Sequence, residues 1–329
     1  MKKRYLITVP IWGQLYLRIF LEQQLRSVLD ETNLSNPLIQ EKYDIEFRIY
    51  TDAETKDALM AHPNFARLKS VARVNVVEFE WTGKTQQVKH DSRYSKLMQV
   101  FHDSVNYATE PGLIPYDYVT AWVGDLVVAR DFFPKILKKM DDGHDAVFVL
   151  PMRTAFEALS PVLNQTNRAL DAIALFNAGY RMLHPLWQAC NYHAPLFTTL
   201  PFAFLWTTRT GIMARSFSIT PIVFKPNRDM LDTRGMIDGD IPQFFSNPYW
   251  CEDWIDAPVI GLEPLFCYYN TMWSNGPVKP SHIKRWAHAA LHPTQLPFLK
   301  KRLYYPSKAI AKVGFIKRLR SDRAVRGLA

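Results

Sequence analysis

The sequence predicts an α/β fold: a mostly parallel, doubly wound, Rossmann-like sheet with helices on both faces, an irregular C-terminal elaboration and a basic helical tail. Three observations predict it. Short β-branched, apolar runs alternate with helical periodicities over the first 150 residues, the pattern of a parallel sheet with crossover helices. The composition, 48% hydrophobic and 22% charged over 329 residues, is too apolar for disorder. Neither a low-complexity tract nor a short repeat interrupts the chain, which excludes solenoid and coiled-coil architectures.

Residues 5–9 read as a buried first strand. The Met1-Lys2-Lys3-Arg4 start imitates a signal peptide, but no small-residue cleavage site follows before Glu22. Pro10-Ile11-Trp12-Gly13 is a turn. Residues 15–29 form a helix, with Leu17, Phe20, Leu21, Leu25, Val28 and Leu29 near a 3.6 period. The alternating run 44–51 (DIEFRIYT) is a second strand, and Thr51-Asp52-Ala53-Glu54 caps the helix that follows it. Strands at 73–79, 118–122 and 145–150 alternate with helices at 92–108 and 131–140. In such sheets the site lies beyond the carboxyl ends of the strands. That puts Pro10, Trp12, Gly13, Asp52 and Val123-Gly124-Asp125 on one edge. Neither GxGxxG nor GxxxxGK[ST] occurs, so dinucleotide oxidoreductases and P-loop NTPases are disfavoured.

No linker-like break ends this half. Residues 1–150 therefore read as a half that binds a nucleotide or small ligand, 151–278 as a second half of the same domain, and 279–329 as a basic tail. In the second half a helix is expected at 169–181, with strands at 207–213, 219–224 and 259–261. Residues 182–208 contain no Asp, Glu, Lys or Arg. The segment is long enough to span a bilayer, but Pro185, Pro195, Pro201, His184 and His193 oppose a spanning helix. It reads as core and loop, or as a surface that dips into a membrane or holds a greasy acceptor.

Charge is unevenly placed. Net charge is +9, yet residues 279–329 hold 13 Lys and Arg against one acid, Asp322, leaving 27 basic and 30 acidic side chains in residues 1–278. A near-neutral body with a basic tail suits an anionic partner. Leu296, Leu299 and Leu303 share one helical face; beyond Pro306 basic residues lie all around the wheel. Cys190, Cys251 and Cys267 are odd in number and form no CxxC. That suggests neither a disulfide framework nor a thiolate zinc site, and fits a reducing compartment.

Several other residues could carry chemistry. Arg153 and Glu157, at i and i+4 past a strand, form either a helix-surface ion pair or a place for Arg153 to meet a phosphate or an acceptor carboxylate. Asp238 and Asp240 flank Gly239, a pattern for a metal or a sugar-hydroxyl clamp and also for a surface turn. Glu252-Asp253 lies between Trp250 and Trp254. His184, before Pro185, is more often a satisfied core group than a catalyst. His288 and His292 lack a third metal ligand, and without a GxSxG no serine nucleophile is marked.

Residues 8–29 (TVPIWGQLYLRIFLEQQLRSVL) resemble the opening of GT-A-fold glycosyltransferases, a strand, a V-P-x-x-N/G turn and a helix ending in S-V/L-L. Tyr50-Thr51-Asp52 is similar to the end of that family's second strand, and 118–133 (YVTAWVGDLVVARDFF) to its strand and DxD segment. The whole chain also resembles a set of bacterial GT-A-like transferases of poorly defined chemistry, through Met152 to Glu157, Leu183-His184-Pro185, Ala214-Arg215 to Pro221, Ile237-Asp238-Gly239-Asp240 and Asp253 to Asp256.

The resemblance implies a glycosyltransferase that moves a sugar from a nucleotide-sugar donor to a glycan or lipid-linked acceptor. Pro10, Trp12, Gly13, Asp52, Asp125 and Arg153 would bind the donor, with Asp52 near the base. A DxD holds a divalent cation on the diphosphate; here Val123 replaces the first acid. Either Mg²⁺ or Mn²⁺ sits on Asp125 with partners elsewhere, or Arg and Lys stabilise the leaving group without a metal. Glu252-Asp253 resembles the ED signature of inverting enzymes, which makes Asp253 the catalytic base and Asp240 the next choice. Glu157, His184, Arg215, Asp238, Trp250 and Trp254 would bind the acceptor.

Residues 296–329 would hold the enzyme to an anionic membrane surface, placing it in the cytoplasm, peripheral to the inner membrane. Nucleic acid is not expected, since basic and aromatic residues are not interleaved on the body, and the oligomeric state is unset. The alternatives are a catalytically degenerate GT-A-like binding protein of membranes or nucleic acids, and a sugar nucleotidyltransferase. The latter's Gly-rich phosphate loop is missing after the first strand.

Overall fold

A computed structural model of the chain describes residues 1–79, 92–198, 203–216, 220–232, 241–266, 273–275, 299–306 and 314–326. The chain forms two compact units that interleave in sequence. Unit 1 comprises Met1–Phe148, Thr166–Leu170 and Pro221–Tyr249; unit 2 comprises Val149–Gln165, Asp171–Thr220 and Trp250–Ala329.

Unit 1 is an α/β layer structure on a mostly parallel sheet, as the sequence predicts. Its strands are β1 (Lys3–Ile11), β2 (Tyr43–Thr51), β3 (Arg73–Glu78), β4 (Tyr118–Ala121), β5 (Leu126–Val128) and β6 (Ala146–Val149). β11 (Thr220–Phe224) and β12 (Pro248–Trp250) return to it from later in the chain. The main sheet has the order β12-β6-β11-β4-β1-β2-β3. β1 runs parallel to β2 and to β4, and β2 parallel to β3. Both faces of β1 are buried from Tyr5 to Ile11, which explains its near-continuous apolar run.

The stretch 219–224, expected as a strand of the second half, inserts as β11 between β4 and β6. It pairs antiparallel to β4, Phe224 opposite Val119, and the Ile222 carbonyl accepts from Thr120 Oγ1 at 2.7 Å. A strand buried on both faces carries no alternation to reveal its neighbours, so only tertiary packing places it.

The helix expected at 15–29 spans 14–28 in three pieces: α1 (Gln14–Ile19), a π-helical turn (Phe20–Gln24) and α2 (Leu25–Val28). The wider turn accommodates Gln23 and Gln24, both buried, on a helix whose inner face is otherwise apolar. α3 (Pro37–Lys42), α4 (Ala53–Ala61), α5 (Pro63–Val71), α6 (Ser92–Ala108) and α7 (Phe132–Asp141) complete the unit. Their apolar faces, with Phe101, Phe132, Phe133 and Leu137, are buried.

The amino edge of this sheet is closed by ionic contacts. Asp141 accepts from Lys3 Nζ (2.5 Å), Tyr43 Oη (2.6 Å), Tyr118 Oη (3.1 Å) and Lys42 Nζ. Burial alone would raise the Asp141 pKa; hydrogen bonds from Lys3, Lys42 and Tyr43 outweigh it and hold the carboxyl at about 2, against an ordinary 3.8. The folded pKa lies below the unfolded one, so this contribution is complete above pH 3.8 and disappears as pH falls through about 2. Because the lysines are partly exposed, Asp141→Asn is expected to cost about 1–2 kcal/mol at pH 7. Urea unfolding at pH 7 and again near pH 2 checks this, the difference between parent and variant vanishing at the acid end.

Unit 2 holds smaller sheets. β7 (Met152–Ala155) runs parallel to β13 (Val259–Glu263), and β8 (Leu196–Thr198) antiparallel to β14 (Trp273–Asn275). β10 (Ile212–Ser216) lies between β9 (Ala203–Thr207) and β15 (Leu303–Tyr305), antiparallel to both. The expected single strand at 207–213 is thus the tip of the β9–β10 hairpin, where Thr208 N–H donates to Gly211 O at 2.7 Å. The helices are α8 (Phe156–Leu163), α9 (Ala172–Arg181), α10 (Pro185–Ala189) and α11 (Phe315–Arg326).

The tail is corrected by this topology. Leu303 is not on a helical face with Leu299; it begins β15, opposite Ala214, and only 315–326 within the described tail is a long helix. The cause is burial of Tyr305. Its ring meets Trp187 at 6.0 Å and Trp254 at 6.2 Å, and its hydroxyl donates to Leu150 O at 2.6 Å. Leu296 lies outside the described residues. Among those described, no helix is long and apolar enough to cross a membrane.

Candidate functional site

The strand order of unit 1 reverses between β1 and β4, a topological switch point, and loops at the carboxyl ends of such strands form the ligand crevice of open α/β sheets. Three sequence-predicted groups meet this edge. After β1 come Trp12 and Gly13. Gly13 has φ +75° and ψ 150°, a backbone region that side chains resist, and a Cβ there would meet nothing within 4 Å. After β2 comes Asp52, and after β4 comes Val123-Gly124-Asp125. A Cβ on Gly124 would lie 3.4 Å from both Pro10 O and Ile11 Cγ1, so this loop approaches the end of β1 closely.

Hydrogen bonds tie the loops together. Asp52 Oδ1 accepts from Thr55 N–H at 2.7 Å as the N-cap of α4, and Thr55 Oγ1 accepts from Gly13 N–H at 3.2 Å. The expected cap and the expected site residue are therefore one carboxylate: Asp52 fixes the start of α4 and, through Thr55, the β1 loop. Gln24 Nε2, from the π turn, donates to Val123 O at 3.2 Å. Asp125 follows that carbonyl and is 6% exposed. Among the described residues, Gln24 Oε1 and Thr51 Oγ1 are buried without a hydrogen-bond partner, as polar atoms are where a ligand or water completes them.

Sequence reasoning missed Lys96. It projects from α6 with Nζ 5.4 Å from the centroid of the Trp12 ring, a cation–π arrangement. Nothing in its local pattern marks it, because α6 approaches the β1 loop only in the folded unit. Arg48 was missed as well. Its Nε donates to Tyr50 Oη at 2.9 Å, its guanidinium lies 4.0 Å from the Tyr107 ring centroid, and Tyr50 Oη donates to Asp103. This clamp rigidifies the end of β2 ahead of Asp52.

The donor set does not make a metal centre by itself. The Val123 side chain cannot ligate, which leaves Asp125 as the one carboxylate of this loop, and no group of three His, Cys, Asp or Glu side chains suited to a metal ion occurs among the described residues. Asp238 and Asp240 lie outside the described residues, as do His288, His292 and Cys267.

No family model matches this chain, and no curated protein matches it. Among solved structures it is similar to the mannosyltransferase PcManGT from Pyrobaculum calidifontis, in complex with GDP-Man and Mn²⁺. The identity is 13%, the TM-score 0.36, and the match covers 100% of this chain and 72% of that one. It is similar to mouse xyloside xylosyltransferase 1 in its apo form at 10% identity and TM-score 0.28, covering 49% of this chain and 58% of that one. A protein assigned as a glucose-1-phosphate thymidylyltransferase from Bacillus anthracis, in complex with sucrose, gives 10% identity and TM-score 0.26, covering 47% and 57%. The chain thus spans less than two thirds of the length of the last two. At TM-scores this low, the functional reading rests on the residues themselves.

The remaining sequence-predicted residues belong to unit 2. Arg153 sits on strand β7, with Glu157 in the first turn of α8, so the expected i,i+4 helix pair does not exist. Arg153 lies across Gly261, where a Cβ would be 2.5 Å from Nη1, and pairs with Glu263 Oε2 at 3.5 Å. Both Glu157 carboxylate oxygens accept from Leu265 N–H, at 3.0 and 3.2 Å. His184 is 2% exposed and caps α10. Its Nδ1 accepts from Leu186 N–H at 3.2 Å, which leaves Nε2 to donate to Pro264 O at 3.3 Å. Burial, the largest influence, pushes its pKa down despite nearby Glu263. A neutral imidazole with both nitrogens on backbone groups orients the chain.

Arg215 is buried and donates through Nη1 to Leu299 O at 3.1 Å and to Lys300 O, fastening β10 to the segment before β15. Trp254 is 2% exposed, donates to Val259 O at 3.0 Å and stacks edge-on to Phe176 at 6.0 Å. It packs in the core of unit 2 rather than offering a platform. Trp250 is half-buried, with Lys301 Nζ 5.8 Å from its ring centroid. Asp253 is half-buried and N-caps a short 3₁₀ turn through Ile255 N–H at 3.3 Å.

Proposed function

We propose that the chain is a glycosyltransferase whose unit 1 holds a nucleotide-sugar donor. The observation that carries this reading is the convergence of Gly13, Trp12 and Asp125 at the β1–β4 switch point, with Asp52 beside them on β2. Gly13 leaves room for a ligand to approach backbone. Trp12 offers a half-buried aromatic face, Lys96 a cation for phosphate, and Asp52 and Asp125 acceptors for hydroxyl or base N–H groups. Their match to the V-P-x-x-G turn, the YTD strand end and the DxD position supports a nucleotide diphosphate-sugar over other small ligands.

In the transfer we assign, the acceptor hydroxyl loses its proton to a carboxylate and its oxygen bonds to the anomeric carbon. The bond from that carbon to the diphosphate oxygen breaks, and the nucleoside diphosphate leaves. Asp253 is the proposed base, with Asp240 next. A glycan or lipid-linked molecule is the proposed acceptor. Association with an anionic inner-membrane surface, on its cytoplasmic side, is proposed through residues 296–329. Its support is α11, which exposes Phe315, Ile316 and Leu319 among Arg318, Arg320 and Arg323.

The test is thermal shift and donor hydrolysis with UDP-, GDP-, CMP- and dTDP-sugars on the full chain. One nucleotide is expected to stabilise the protein and be released from its sugar; silence with all four would remove the assignment. Lys96→Ala is expected to weaken nucleoside diphosphate binding about tenfold, by loss of one charge-assisted contact, and calorimetric titration reads that directly.

A further inference from the structure

Unit 2 contains a groove of about 1150 Å³, above the roughly 300–1,000 Å³ that drug-sized ligands fill. Most of its lining comes from the charge-free stretch 182–208, including Leu183, Pro185 and Leu205, and Ile212 adds to the apolar wall. Among the described residues that line it, two are cations, Arg209 and Lys317, and none is a carboxylate. Lys317 reaches it from α11 and donates to Thr207 O; among the described residues that carbonyl is the one acceptor it meets. An ammonium carries three donors. Beside it, Arg320 Nη1 lies 3.3 Å from His193 Nε2. Partial burial, with Arg320 and Lys317 next to it, holds the His193 imidazole below its ordinary pKa, a sign of positive potential at this rim.

We infer that this groove binds a lipid phosphate, its hydrocarbon chain along the apolar wall and its phosphate on Lys317, Arg209 and Arg320. Charge complementarity argues for the phosphate: an apolar wall beside cations, with no acid among the described lining residues, matches an anionic amphiphile and penalises a neutral or cationic one. The exposed apolar residues of α11, continuous with Lys317 along the helix, suit a ligand drawn from a bilayer. As the acceptor of sugar transfer, this ligand rests on the transferase reading; as a bound lipid, it stands without it.

The experiment uses the full chain without any donor. Farnesyl phosphate, farnesol, inorganic phosphate and phosphatidylglycerol vesicles are each titrated, with the Ala194→Trp and Lys317→Ala/Arg320→Ala variants alongside. Farnesyl phosphate is expected to bind at least about tenfold more tightly than farnesol or inorganic phosphate. The double variant should lower its affinity to that of farnesol. Ala194→Trp, which fills the groove and leaves the cations, should remove farnesyl phosphate binding while vesicle binding persists. Unchanged affinity in Ala194→Trp, or equal affinity for farnesol and its phosphate, would overturn the site. Retained lipid-phosphate binding in a protein that shifts with no sugar nucleotide would keep this inference and reject the transferase.

Discussion

Asp125→Asn is expected to lower donor turnover by about 100- to 1,000-fold, with little change in Tm. The substitution keeps shape and removes one negative charge at a position 6% exposed, where screening by water is weak and a charge acts strongly on its neighbours. Its place, one residue past the Gly124 contact with Pro10 and Ile11, is the switch point itself. The accompanying change in nucleoside diphosphate affinity separates two roles. A carboxylate that meets the diphosphate through a cation loses affinity as an amide, and the loss appears only with Mg²⁺ or Mn²⁺ present. One that accepts a hydroxyl leaves affinity unchanged or raises it, because a like charge has gone. Turnover within about threefold of the parent would take Asp125 out of the site.

Gly211→Ala is expected to be the most damaging small substitution in unit 2. A Cβ there would stand 1.8 Å from Tyr305 O and 2.8 Å from its carbonyl carbon. The clash is with backbone, so no rotamer relieves it. β15 must move off β10, breaking the register Ile212–Tyr305, Met213–Tyr304 and Ala214–Leu303 and withdrawing the fully buried Tyr305 from Trp187 and Trp254. The expected loss is about 3 kcal/mol, or roughly 6–12 °C in Tm. Gly314→Ala, where a Cβ meets nothing within 4 Å, is the control and should change Tm by no more than about 2 °C. Equal Tm values for the two variants would show that the β10–β15 contact does not govern unit 2.

Much of unit 1 was legible from residues 5–150, because the signals there are local. β2 alternates, the inner face of 14–28 keeps a helical period, and Asp52 carries the signature of an N-cap. Once parallel strands are expected, the carboxyl edge follows, and with it Trp12, Gly13, Asp52 and Asp125. The same logic failed where a side chain's partner is remote. Arg153 reads either as one end of a helical ion pair or as a contact for a phosphate or carboxylate; in the fold it lies on β7 and pairs with Glu263. Arg215 reads as a contact for an acceptor, and in the fold it donates to the carbonyls of Leu299 and Lys300; His184 reads more often as a satisfied core group, and both its nitrogens meet backbone groups. Trp254 is expected to bind an acceptor, yet it lies in the core of unit 2. Lys96 gave no signal, since its meaning comes from the Trp12 ring.

The tail shows the division most sharply. Its charge is a property of composition, fixed whatever the fold, and so is the absence of charge in 182–208. The leucine spacing puts Leu303 on a helical face with Leu296 and Leu299, yet one leucine every few residues suits a strand as well, and Leu303 lies in β15. Burial of Tyr305 between two tryptophans decided it. The sequence by itself determined the periodic elements and the charge distribution, which depend on neighbours a few residues away. Tertiary structure alone decided the insertion of β11, the strand at 303–305 and the remote partners of buried groups such as Arg215, because those are set by packing free energy between segments far apart in the chain.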